Sequence, residues 1–236
     1  MNTTAPHISS QFDQDLNRVR DLIMSMGGLL EQQLDSALRA LIDGNISLGE
    51  AAAAGDTSVN QFETDIDQSI VDIIATRQPA ANDLRFLFTA SKIVADMERI
   101  GDKAEKIARI ALVIQPLINS YSFMQDIRAM GEMTQKMLHD ALDAFARMDA
   151  EAAIAIKQSD RHVNNAYRDV LADLMEHMAE NPNTLDYSLN ILSTMRAIER
   201  VGDHVTNICE YIVYLDKGVD VRHLNLKNTV EEIEKV

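Results

Sequence analysis

Apolar positions along this chain fall on helical periods almost throughout, separated by few polar breaks. Ile93, Met97, Ile100, Ala104, Ile107, Ala111 and Ile114 recur at alternating spacings of four and three, the seam of a helix packed in a bundle. Ile198, Val201, Val205, Ile208, Ile212 and Leu215 repeat that stripe. The pattern predicts helices over about 11–43, ending at Gly44-Asn45, and about 47–77, stopping before Pro79. A third runs from Asn82-Asp83 to just before Pro116. The remainder repeats this plan, with breaks near Asp149 and at Asn181-Pro182, and ends near Lys217-Gly218. Asn82 or Asp83, and Thr184, are placed to cap helix N-termini; Gly218 is placed to cap a C-terminus. Three long helices with short connections make an up-down-up bundle. The expected fold class is therefore all-α, with two tandem, similar three-helix bundles at 1–115 and 116–224 and a tail at 225–236.

The halves are also related in detail. Glu98-Arg99-Ile100-Gly101-Asp102 returns as Glu199-Arg200-Val201-Gly202-Asp203, 101 residues later. Upstream, Met26-Gly27, Leu34, Ala37, Leu38 and Ala40 match Met130-Gly131, Leu138, Ala141, Leu142 and Ala144 at an offset of 104. Asp56, Val59 and Asn60 match Asp160, Val163 and Asn164 at that same offset. The length change falls in the interval holding Pro79 and Pro182, where a turn absorbs it. Two halves of roughly 100 residues are each expected to form a core. Gly101 and Gly202 interrupt good helix formers at a cost of roughly 1 kcal/mol each, which close helix approach or access to a ligand would explain.

Composition narrows the function. A formal net charge of −15 excludes a phosphate-backbone binder, which needs a basic face, and argues against attraction to anionic lipid. The lone Cys209 has no internal disulfide partner. No apolar run reaches the roughly 18 to 20 residues of a membrane span, and Met1 to Ser10 lacks the regions of a signal peptide. The expectation is a soluble cytoplasmic protein. No nucleophile triad or Gly-rich phosphate loop has usable spacing, so the chain is expected not to be an enzyme.

The repeated acids supply the candidate chemistry. At about 100° per residue, Glu98 and Asp102 share one helix face, off the apolar stripe, as do Glu199 and Asp203. Asp56 and Asn60 fall on the flank of the second helix, with Glu63 and Asp67 continuing the row, and Asp160 and Asn164 hold the equivalent place in the second half. If these flanks meet, four oxygen-bearing side chains converge in each half. Paired acids repel, and a cation between helices reverses that sign. Oxygen donors suit Mg, Mn, Ca or Fe; Zn more usually recruits His or Cys, and His162 and His204 rotate away from these faces. Taken singly, acid pairs on helix flanks are solvated surface; their recurrence is what favours a site. Arg99 and Arg200 are expected to be salt-bridge partners of the acids. A carboxylate di-metal redox or storage bundle is the enzymatic rival, but the Glu-x-x-His pair it uses is absent. A purely structural helical scaffold gives no reason for the acids to repeat.

Taken together, Arg77-Gln78-Pro79-Ala80 through Asp83-Leu84-Arg85, the two Glu-Arg-x-Gly-Asp phrases, His7-Ile8-Ser9 with Phe12, Met26-Gly27-Gly28, Met137-Leu138-His139-Asp140 and Asn207-Ile208-Cys209-Glu210 resemble the PhoU family of bacterial phosphate-signalling regulators. The resemblance covers nearly the whole chain to about Asn225. It implies two three-helix bundles and metal binding through Glu/Asp-x-x-x-Asp motifs. On this sequence those positions are Glu98 with Asp102 and Glu199 with Asp203, accompanied by Asp56 with Asn60 and Asp160 with Asn164. Asn60 and Asn164 stand where some relatives place Asp, which lowers the charge of each patch. The resemblance further implies a negative regulator of the phosphate-starvation response and of phosphate uptake. Such a protein links the ATPase (PstB) of the Pst phosphate ABC transporter to the PhoR sensor kinase. The expected assembly is a homodimer that reaches the membrane only through its partners.

Overall fold

In the computed structural model, residues 10–114 and 123–222 are described. Their helices are α1 (Ser10–Asp43), α2 (Ile46–Arg77), α3 (Ala81–Ile114), α4 (Met124–Arg147), α5 (Ala150–Glu180) and α6 (Leu185–Lys217), with a short 3₁₀ turn at Pro182–Thr184. No strand occurs among the described residues. The expected all-α class and duplicated plan hold. The readings made at His7-Ile8-Ser9, at Pro116 and for the 225–236 tail lie outside the described residues.

Local chemistry sets the helix ends. Asn45 accepts the Leu48 N–H at 3.1 Å and Asp149 accepts the Ala152 N–H at 2.9 Å, so equivalent side chains start α2 and α5. Before Asn45 the chain turns through Gly44 at φ 68, and before Asp149 through Met148 at φ 53. Gly218, at φ 73, closes α6 with its N–H on the Tyr214 carbonyl at 2.9 Å. Two expected caps differ. The Thr184 hydroxyl makes no cap; it donates to the Asn181 carbonyl at 2.8 Å and lies 3.1 Å from His177 Nε2. The 3₁₀ turn opening at Pro182 leads directly into α6, so the chain is already wound when it reaches Thr184. Helix α3 begins one residue early, at Ala81, and Asn82 instead accepts from Arg85 Nη2 at 3.1 Å.

Within each half the three helices pack together, and the halves meet through α3 against α6 and α1 against α4. Fifteen residues of α3 are buried, against six of α2. Helix α3 is therefore sandwiched between its own bundle and the other half. For that reason the separate cores expected from sequence are joined, and the buried side chains of both halves form one connected cluster.

The junction repeats itself across a pseudo-two-fold. A Cβ on Gly27 would meet the Leu142 side chain at 2.7 Å, and one on Gly131 would meet Leu38 at 2.8 Å. Glu31 lies 2.7 Å from His139 Nδ1, and Gln135 donates to Asp35 at 3.2 Å. In both cases the second pair is the first with its halves exchanged, as in an isologous interface. Along the seam α3 and α6 run antiparallel: Arg85 lies over Tyr214, Lys92 over Tyr211, and His204 meets Asp96 at 2.7 Å.

This packing predicts coupled energetics. Gly27→Ala crowds Leu142 and should cost about 1–3 kcal/mol, while Leu142→Ala alone should cost about 2–5 kcal/mol. The double variant should lose at least roughly 1 kcal/mol less than the sum in urea unfolding. Strict additivity would contradict the close approach.

Candidate metal-binding patches

Each patch is assembled where the third helix of a half crosses the second. Glu98 and Asp102 project from α3, and Asp56 and Asn60 from the facing flank of α2. In the second half Glu199 and Asp203 on α6 meet Asp160 and Asn164 on α5. All are half-buried except the exposed Asn60, and none enters the core. The stripe residues beneath them, Ile100, Ile107, Val201 and Ile208, are fully buried. Glycine at the crossing permits the approach. A Cβ on Gly202 would stand 2.8 Å from Asp160 Oδ1, and one on Gly101 would stand 3.1 Å from Val59 Cγ1.

The two Asp–Asn pairs behave alike. Asn60 Nδ2 donates to Asp56 Oδ2 at 3.0 Å, and Asn164 Nδ2 donates to Asp160 Oδ2 at 2.6 Å. The other oxygen of each aspartate, Asp56 Oδ1 and Asp160 Oδ1, is buried with no hydrogen-bond partner among the described residues. A buried carboxylate oxygen without a donor is costly. Here it occurs twice, at equivalent positions.

Charge crowding accompanies burial. Burial raises Asp56 above the usual carboxylate range, and Glu105 and Asp102 raise it further. Glu98 is raised by burial, then by Asp102, Glu63 and Asp56; Glu63 is raised by burial and then by Asp67. In the second half burial, Asp203 and Glu199 push Asp160 up to about 6 against the Asn164 hydrogen bond, and burial with Asp203 raises Glu199. Arg200 neutralises part of this patch, 3.3 Å from Asp203 and 4.0 Å from Glu199. Arg99 draws Glu98 and Glu63 down, as expected for a partner of the acids, but its direct contact is elsewhere. It turns to Asp96 at 3.7 Å, because the buried Asp96 carboxylate is the stronger claim on a cation.

The donor set fits a hard cation: carboxylate oxygens, two of them buried and unpartnered, and no His or Cys. Among the described residues no three His, Cys, Asp or Glu side chains are gathered closely enough to hold a metal as they stand. Each patch is thus a shared acidic surface around one lodged carboxylate, which side-chain rotation must close.

Two groups escaped the sequence reading. Glu105 joins the first patch and is held by Arg109 at 2.6 Å; it sits two turns beyond Glu98 on the same face, but its counterpart is Thr206, so the repeat did not mark it. The buried Asp96 receives His204 Nδ1 at 2.7 Å and Asn207 Nδ2 at 3.2 Å across the junction. Its position between Ile93 and Ile100 on the apolar stripe was the available signal. Cys209 is buried, and burial pushes its thiol up to about 12, which leaves it unreactive.

A pH dependence follows. Folded Asp160 titrates near 6, above its ordinary value of 3.8, so the folded chain holds a proton that the unfolded chain has released. Its contribution favours folding fully below the unfolded value and is lost as pH rises through about 6. With metal chelated, Asp160→Asn should therefore stabilise the protein by roughly 1 kcal/mol at about pH 7.5, allowing for solvent screening. The gain should shrink toward zero by about pH 4.5 in urea unfolding; a constant gain across that range would contradict the assignment.

Similarity to known proteins follows the same duplication. The family model described as PhoU domain matches residues 23–111 and again 127–212. The phosphate-specific transport system accessory protein PhoU homolog of Pseudomonas aeruginosa is 43% identical over 97% of this chain and 94% of its own length. The Escherichia coli (strain K12) accessory protein PhoU is 44% identical over 92% of this chain and 90% of its own. The crystal structure of PhoU from Pseudomonas aeruginosa superposes with a TM-score of 0.85 at 42% identity, covering 88% of this chain and 100% of that one. With both halves matched by one domain model and relatives aligned nearly end to end, this chain belongs to the PhoU family.

Proposed function

We propose that this chain is a regulatory accessory protein of a phosphate-specific transport system. It holds phosphate uptake and the phosphate-starvation response down when phosphate is plentiful. It acts as an adaptor between the transporter's ATPase (PstB) and the sensor kinase (PhoR), works as a homodimer in the cytoplasm, and reaches the membrane through those partners. The observation that carries this reading is near end-to-end similarity to relatives that are named accessory proteins of that transport system. Among the described residues no helix is long and apolar enough to cross a membrane, which accords with action through membrane-bound partners.

The two acidic patches supply a means of organising the adaptor's surface. Glu98, Asp102 and Asp56 would hold one Mg, Mn, Fe or Zn ion, and Glu199, Asp203 and Asp160 a second. A bound ion would neutralise the crowded carboxylates of α2 with α3, and of α5 with α6, without any chemical conversion. Asn60 and Asn164 hold Oδ2 of each aspartate and leave Oδ1 without a donor.

Two measurements test this. Metal at about 100 times Kd should stabilise the wild type by roughly 2.7 kcal/mol for each occupied patch, and changing Glu98, Asp102, Glu199 and Asp203 to Ala should abolish that gain; equal melting shifts would exclude these patches. In cells, deleting the gene should switch phosphate-starvation reporters on in phosphate-rich medium, and removing the sensor kinase as well should silence them. A reporter that stays silent in the single deletion would defeat the regulatory reading.

A further inference from the structure

Away from the acidic patches, the first turns of α3 meet the end of α6 and residues 218–222 around a cleft of about 60 Å³. Phe88, Thr89, Lys92, Tyr211, Tyr214 and Arg222 line it, with Glu210 and Asp220 beside them. The room is roughly four times what a single water requires, enough for one small polyatomic ion and too little for a nucleoside.

The hydrogen-bonding capacity around this cleft is unbalanced. Both carboxylates are already engaged: Glu210 takes Lys157 Nζ at 2.6 Å, and the two oxygens of Asp220 take Arg222 Nε and Nη2 at 2.9 and 2.5 Å. The donors are less fully used. Thr89 is fully buried and its hydroxyl has no hydrogen-bond partner among the described residues. Lys92 Nζ lies 4.4 Å from the Phe88 ring centre and 5.7 Å from that of Tyr211; its charge reaches Asp220, but among the described residues no carboxylate oxygen is in direct ion-pair contact with it. The charged lining residues balance, two of each sign; with Glu210 paired to Lys157 and Asp220 to Arg222, the Lys92 ammonium is the lining cation outside those pairs. Aromatic walls lower the local dielectric and strengthen the attraction of an ammonium for an anion.

We propose that this cleft binds a small oxyanion with the size and charge of one phosphoryl group. Lys92 is its charge partner and the Thr89 hydroxyl its buried donor. A cation would find both carboxylates engaged, and an apolar ligand would leave the Thr89 hydroxyl unpaired. The walls come from α3 in one half and α6 in the other, so the bound anion bridges the two bundles at their junction. The site shares no residue with the acidic patches and does not depend on metal.

Calorimetric titration of the full chain with inorganic phosphate, at constant ionic strength, tests the site. The expected result is saturable binding of one ion per chain, weakened about tenfold or more in Lys92→Met and severalfold in Thr89→Val, but largely kept in Lys92→Arg. Thr89→Val preserves shape and removes only the hydroxyl, so it remains informative if Lys92→Met fails to fold by circular dichroism. Parallel titrations with methyl phosphate and pyrophosphate separate the sources. Tightest binding of orthophosphate identifies the free ion, and tighter binding of either ester or anhydride identifies a phosphoryl group on a larger ligand. No binding of any of the three up to roughly 10 mM, or binding unchanged by both Lys92→Met and Thr89→Val, would overturn the proposal.

Discussion

A carboxylate lodged at a helix crossing, with one oxygen left unpartnered, is the constraint around which the surface of this protein is arranged. Asp160 Oδ1 lies where a Cβ on Gly202 would come within 2.8 Å of it, and Asp56 Oδ1 shares its isolation in the other half. Glycine at these crossings gives up helix propensity in exchange for proximity. Without that proximity the acids of neighbouring helices would be ordinary solvated side chains. With it they crowd, lose water and rise together above the usual carboxylate range. The arrangement is unfavourable for the protein alone, and the cation proposed above would supply the missing partner.

The junction between the halves gives this arrangement a rigid base. Gly27 against Leu142 and Gly131 against Leu38 bring α1 and α4 together in reciprocal fashion, and α3 packs along α6 in one continuous core. Both patches are thus held on a single body. Pseudo-symmetry is broken at one buried place. Asp96 accepts from His204 and Asn207, whereas the equivalents of Asp96 and His204 are Ala197 and Lys103.

Most of the fold was legible because helix periodicity and breakers are local. Gly44-Asn45, Asp149 and Gly218 mark ends that the structure places within a residue or two. What sequence did not disclose depended on contacts between elements. Thr184 is the right type for a cap, yet the turn from Pro182 redirects its hydroxyl. The separate cores expected for two domains merge because α3 buries residues on both sides, which its main stripe alone does not reveal. At the patches, the convergence of Glu98, Asp102 and Asp56 followed from spacing and repetition. The unpartnered oxygens did not, since they arise from side-chain placement at a crossing. The additional contact of Arg99 with Asp96 was not legible, because it requires knowing that Asp96 is buried beside it.

The most direct test of the cation account is anomalous diffraction from crystals grown with Mn²⁺ and measured at its absorption edge. The account predicts two peaks, one between Asp56, Glu98 and Asp102 and one between Asp160, Glu199 and Asp203, with Asp56 Oδ1 and Asp160 Oδ1 turned onto the ions. Crystals whose Mn²⁺ lies only elsewhere, or which leave both aspartate oxygens unpartnered, would contradict it.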